Sequence, residues 1–172
     1  MQEATNQPPK AAPTNEVIYK GSTPTSQIKD EVAVWQNGER FFVCDRDDRT
    51  AGREVTLDEL KALFAKPYTL IFWRAKSVLS FLKLKGLPIP QRFECAYTET
   101  CLSTGGSTRI MSFDNAFDWC WEEGVPADDL HRAYALWWMH STDGIIADGH
   151  EKDYQREISL IREKLAALTA KN

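Results

Sequence analysis

"EVAVWQNGERFFVC", residues 31–44, decides the fold, because it can be read in only one way as local structure. Asn37-Gly38 supplies the two positive-φ positions of a type I′ turn, and the residues on both sides are β-branched or aromatic. With that turn setting the register, Val34 is expected opposite Phe41 and Val32 opposite Val43 on one side of the hairpin. Trp35 then faces Arg40, and Ala33 faces Phe42, on the other. Each face is at least half apolar, so the hairpin belongs inside a larger packed sheet.

Downstream, "VTLDELKALFAKP" carries the start signature of a helix: Thr56 as N-cap, Glu59 as its capping-box partner, and Val55 with Leu60 as the staple. Leu57, Leu60, Leu63 and Phe64 share a face, and Pro67 ends the helix. "YTLIFW" reads as a buried strand or the lead-in to a helix. From Ala75 to Gly86, Val78, Leu79 and Leu82 repeat with helical spacing. "GLPIPQ" is a connector. "FECAY" and "TRIMS" read as strands flanking the loop "STGGS".

The last third reads as helical. Ser112 caps a helix through Glu123, stopped by Gly124. Pro126, Asp128 and Asp129 open a second helix that runs to about His140. After the loop "STDGIIADGH", a final helix from about Glu151 to Leu168 aligns Tyr154, Ile158, Ile161, Leu165 and Leu168. That seam packs on the parent core or pairs with a second copy as a homodimer.

Upstream, "EVIYK" (16–20) is a short strand candidate, and residues 1–15, rich in Pro, Gln, Asn and Thr, read as a disordered tail. The expected architecture is α+β: a small, mainly antiparallel sheet from the N-terminal half packed against a C-terminal group of helices, with residues 16–172 as one domain. At 172 residues and 42% apolar content the chain can bury a core without staples. Cys44, Cys95, Cys101 and Cys120 are therefore expected as reduced thiols in a cytoplasmic protein. The N-terminus lacks the pattern of a secretory signal, the most apolar stretch is broken by Arg74 and Lys76, and no membrane segment is expected. No internal repeat is found.

The formal charge of −4 hides a segregation. Residues 60–92 hold seven bases and no acid, whereas residues 93–153 hold twelve acids against three bases. In the second segment, "DNAFDWCWEEG" (114–124) needs explanation. Phe113, Ala116, Phe117, Cys120 and Trp121 form one apolar stripe, and Asp114, Asp118 and Glu122 share a neighbouring face. Asp114 sits in the first turn, where the helix dipole favours a negative charge.

"NAFD" (115–118) and "YTET" (97–100) resemble two motifs of the DEDD-type 3′–5′ exonucleases, Asn-Ala-x-Phe-Asp and Asp-x-Glu. The resemblance implies a metal-dependent nuclease or hydrolase with a degenerate carboxylate set, Glu99, Asp114 and Asp118, with Asp143 or Asp148 as a further candidate. The departures are chemical: "NAFD" is one residue short, and Tyr97 stands where the first acid belongs. Two-metal catalysis needs several acids converging on ions about 4 Å apart, and a tyrosine replaces none of them.

Other stretches point to structure. "DRDDR" (45–49) lacks the Gly and Glu of a calcium loop, with Thr50 and Thr56 in their places, and reads as a self-neutralised surface loop. The cysteines and histidines lack the close pairing of structural zinc sites, and no metal or other cofactor is expected. "LSTGGSTR" lacks the Gly-Lys-Ser/Thr ending of a phosphate loop. "HRAYALWWMH" has core spacing.

Two binding readings remain. The first is a non-catalytic protein-binding module, an inhibitor, adaptor or regulator, using an acidic helical surface of Asp114, Asp118, Glu122, Glu123, Asp128 and Asp129 against a basic protein partner. The alternative is a nucleic-acid-binding protein working through residues 60–92, with Lys66, Arg74, Lys76, Lys83 and Lys85 interleaved by aromatic side chains.

Overall fold

The computed structural model describes residues 31–48, 51–105, 112–120, 124–143 and 150–168. The tail, the strand expected at 16–20 and most of the one expected at 108–112 lie outside them. The fold is α+β: a five-stranded mixed sheet, mostly from the N-terminal half, packed against helices that dominate the C-terminal half.

The hairpin forms from β1 (Glu31–Asn37) and β2 (Arg40–Asp45). Its register is shifted by two residues from the expected one: Val34 pairs with Val43, Trp35 with Phe42, and Asn37 closes the turn opposite Arg40. The tight loop is thus Gly38-Glu39, with Gly38 taking the positive φ of 61° at its first position. A shift of two preserves the side-chain faces, so Val32, Val34, Phe41 and Val43 still share one side.

β3 (Arg53–Val55) adds to β2 antiparallel, while β4 (Thr69–Phe72) and β5 (Arg92–Cys95) add to β1 in parallel, giving the order β3-β2-β1-β4-β5. Two interfaces are antiparallel and two parallel, where mainly antiparallel pairing was expected. The parallel pairs require crossovers, which α1 (Leu57–Phe64) and α2 (Ala75–Leu84) supply. The capping box of α1 forms as read: Thr56 Oγ1 accepts from the Glu59 amide, and the Thr56 amide donates to Glu59.

Three more helices were legible: α4 (Phe113–Cys120), α5 (Asp129–Asp143) and α6 (Glu151–Ala167). One was not. "AYTETCLS" is the helix α3 (Ala96–Ser103), which follows β5 without a break, so that "FECAY" is only half strand. Its start has no side-chain cap, and its buried residues include Glu99 and Thr100, so no apolar period announces it.

The sheet has a core on each face. Val32, Val34, Phe41, Val43, Leu70, Phe72 and Phe93 pack against α1, α2 and α6. Ala33, Phe42, Cys44 and Ile71 pack against α4 and α5. The seam of α6, with Tyr154, Ile158, Ile161 and Leu165 buried, is therefore consumed in the first core rather than offered to a second copy. Among the described residues, no helix is long and apolar enough to cross a membrane, and Cys44, Cys95 and Cys101 are free thiols.

Candidate functional site

α5 lies along β1 and runs against it. Asp129 at the helix start bonds Trp35 and Asn37 at the end of the strand, and His140 near the helix end lies 3.9 Å from Glu31 at the strand's beginning. The lengths match, since fifteen helical residues and seven strand residues each span roughly 20 Å. Gly52 lets this contact close: its amide donates to the Leu130 carbonyl at 2.9 Å. A Cβ there would meet the Val43 carbonyl oxygen at 2.5 Å and the Ala133 Cβ at 2.9 Å.

The carboxyl end of β1 carries the site. Trp35 Nε1 donates to Asp129 Oδ1 and Asn37 Nδ2 donates to Oδ2, both at 2.9 Å. These donors are neutral and fix the carboxylate's position, while Arg40, paired with Glu54, is a cation close enough to feel it. Asp128 caps α5: Oδ1 accepts from the His131 amide at 3.0 Å, and Oδ2 lies 2.6 Å from His131 Nδ1. That backbone hydrogen bond, with the histidine beside it, holds the Asp128 carboxyl below its ordinary pKa.

Asp114, in the first turn of α4, meets a cation: Arg132 grips it with two contacts, at 2.9 and 3.2 Å. The same guanidinium donates to the Pro126 carbonyl and lies over the rings of Trp35 and Phe113. Trp35 and Phe113 touch, with ring centroids 4.8 Å apart, and Phe113 continues through Trp73 to Tyr97. Asp118 is exposed one turn beyond Asp114. The result is a half-buried aromatic and arginine centre with Asp114, Asp118, Asp128 and Asp129 around it.

Of the six acids expected at a docking surface, Asp114, Asp128 and Asp129 have contacts at the α4–α5 junction, and Asp118 is exposed on α4. Glu122 and Glu123 lie outside the described residues. The residues that sequence reasoning missed are Trp35, Asn37 and Arg132, which hold the acids in place. Arg132 had a signal, as a rare base in the acidic segment, but its partner lies eighteen residues away with no fixed spacing.

The basic stretch is dispersed. Lys83 Nζ donates to the carbonyl of Leu165 at the end of α6, and Lys85 pairs with Glu39 at 2.8 Å. Lys66 lies over Tyr68, Arg74 lies over Tyr97, and Lys76 is exposed in the first turn of α2. Phe72 and Trp73 are buried.

The carboxylates of the exonuclease resemblance do not converge. Glu99 is buried on α3 with His140 Nδ1 2.8 Å away, whereas Asp114 is gripped by Arg132. Among the described residues, no group of three or more His, Cys, Asp or Glu is disposed to hold a metal ion. The "DRDDR" loop is neutralised by Arg53, whose Nη1 lies 2.7 Å from Asp48 and 3.4 Å from Asp45. The Cys44 and Cys95 thiols are poorly placed for nucleophilic work, since burial raises the pKa of both.

Comparison with protein-family models, with curated proteins and with solved structures finds no match for this chain.

Proposed function

We propose that this protein is a non-catalytic binding module, an inhibitor, adaptor or regulator, that docks a basic protein partner at the α4–α5 junction. The observation that carries this reading is the way Asp129 is held, by two uncharged donors from β1 that fix its carboxylate at the rim of the junction. Asp128 is fixed by its cap, which holds its carboxyl below the ordinary range. Asp114 is paired with Arg132, and Asp118 is exposed.

The composition fits a docking site. Trp and Arg are the residues that dominate binding energy at protein interfaces, and here Trp35 and Arg132 are stacked, immobilised before any partner arrives. Surrounding carboxylates speed encounter with a cationic surface and reject anionic ones.

A second reading keeps one supporting observation: Arg74 and Lys76 are exposed at the start of α2, with Tyr97 beneath the Arg74 guanidinium. Such a pairing of cation and ring suits a single-stranded nucleic acid.

Immobilised peptides of graded net charge, alongside single-stranded oligonucleotides, separate the two. The expected result is retention of lysine- and arginine-rich peptides, weakened by salt and lost in a doubly substituted Asp118→Lys, Asp128→Lys variant. Asp58→Lys, on the exposed face of α1, serves as the control and should bind normally. Equal binding by all three proteins would overturn the docking reading. Retention of oligonucleotides, lost on Arg74→Ala, would favour the second.

A further inference from the structure

The far end of α5 holds a cluster that the docking site does not use. His140 Nδ1 lies 2.8 Å from Glu99 on α3, and its Nε2 lies 3.9 Å from Glu31 on β1. Beside them, the Tyr154 hydroxyl of α6 donates to Glu94 on β5 and accepts from the Cys95 amide at 2.9 Å. β5 is the edge of the sheet, so the tyrosine satisfies a buried edge amide that would otherwise lack a partner. Three glutamates, one imidazole and one phenol thus join β1, β5, α3, α5 and α6.

We propose that this cluster is a proton-operated latch: protonated His140, clasped by Glu99 and Glu31, fastens the end of α5 to α3 and the start of β1, and loss of its proton lets that end open.

Geometry limits the alternatives. Glu99 is buried to 2% relative exposure and its carboxylate has His140 as its ionic partner. A buried carboxylate facing a neutral ring would be an uncompensated charge, which is among the costliest things a fold can hold. A ring that carries its proton gives that carboxylate its counter-charge and favours the closed arrangement.

The electrostatics agree. Burial alone would lower the pKa of His140, but the charge and hydrogen bond of Glu99, then the charges of Glu31 and Glu94, outweigh it and raise the value to about 9. The groups that act on these glutamates in turn are Tyr154 and the Cys95 thiol. Glu94 is itself shifted upward, first by burial and then by Glu99, with the Tyr154 hydrogen bond opposing.

A group whose pKa is raised in the closed state contributes stability that is complete below its free value, about 6.5, and that is lost progressively as pH rises through the closed value of about 9. The open form should therefore gain population by about tenfold for each pH unit within that window. This behaviour is independent of the docking reading, since Asp128 and Asp129 sit at the opposite end of the helix.

Amide hydrogen exchange on the full chain, corrected for the intrinsic pH dependence of exchange, tests the latch. From pH 7 to 8.5 the opening constants of amides near Leu136–His140 and Thr100–Ser103 should rise about 20-fold, while those of α1 and β2 change little. In His140→Gln the baseline should be higher and the rise absent. If that variant does not fold, Glu31→Gln serves, and its rise should be shallower than that of the wild type. A flat wild-type profile, an equal rise in the substituted protein, or a rise shared uniformly by α1 and β2 would each overturn the latch.

Discussion

The two ends of α5 treat the same chemistry in opposite ways. At its start, Asp129 is held by neutral donors and Asp128 by a backbone amide, at a surface where water supports the charge. Near its other end, Glu99 and His140 are withdrawn from water and depend on each other. The difference teaches where charge is useful for meeting a partner and where it is useful for holding a fold. An exposed carboxylate adds little stability but steers association, whereas a buried pair is costly to break and makes stability depend on pH.

The comparison breaks most visibly at the buried end. Glu99→Ala removes the nearest partner of His140, lets the ring shed its proton, and should destabilise the fold by about 2–3 kcal/mol in urea denaturation at pH 7. A loss below about 1 kcal/mol would show that the pair is not buried together. Next in size is Gly52→Ala, between the two ends, where the new Cβ collides with the Val43 carbonyl and with Ala133 on α5. A cost of about 1–3 kcal/mol is expected by the same measurement, and an unchanged midpoint would mean that α5 does not approach β2 so closely.

The exposed end should respond gently. Trp35→Phe removes the indole N–H that Asp129 accepts while retaining an aromatic ring against Phe113. About 1 kcal/mol is expected. Asp118→Lys should leave stability within about 0.5 kcal/mol of the wild type and act instead on the association rate with a cationic peptide, read by stopped flow. A large stability loss on Asp118→Lys would remove the distinction between the two ends.

How much of this was legible in the sequence depends on the range of the interaction. The capping box of Thr56 and Glu59 and the apolar seams of α2 and α6 are local, and each is present as read. The hairpin was legible as a hairpin, but its loop begins at Gly38 instead of Asn37, because glycine is the residue that takes positive φ most freely. α3 escaped because it starts directly from a strand and buries a glutamate and a threonine, so polarity hides its inner face.

The parallel half of the sheet was also hidden. Nothing local in Thr69–Phe72 or Arg92–Cys95 states which neighbour the strand will choose, and the pairing emerges only when the edge of β1 that β2 leaves open needs a partner. The site shows the same limit. The acids were visible as a run of charge, but Asp129 is fixed by a tryptophan 94 residues earlier, and Glu99 by a histidine 41 residues later. No spacing rule covers such separations, so sequence could nominate the charges but not sort them into open and closed.

That sorting is tested most directly by following the side-chain resonances of His140 and Asp128 in a single NMR pH titration of the intact chain. The expected result is an imidazole that stays protonated through neutrality and titrates near pH 9, with the Asp128 carboxyl titrating below its ordinary range at the other end of the same helix. A His140 midpoint near the ordinary value of about 6.5 would contradict it.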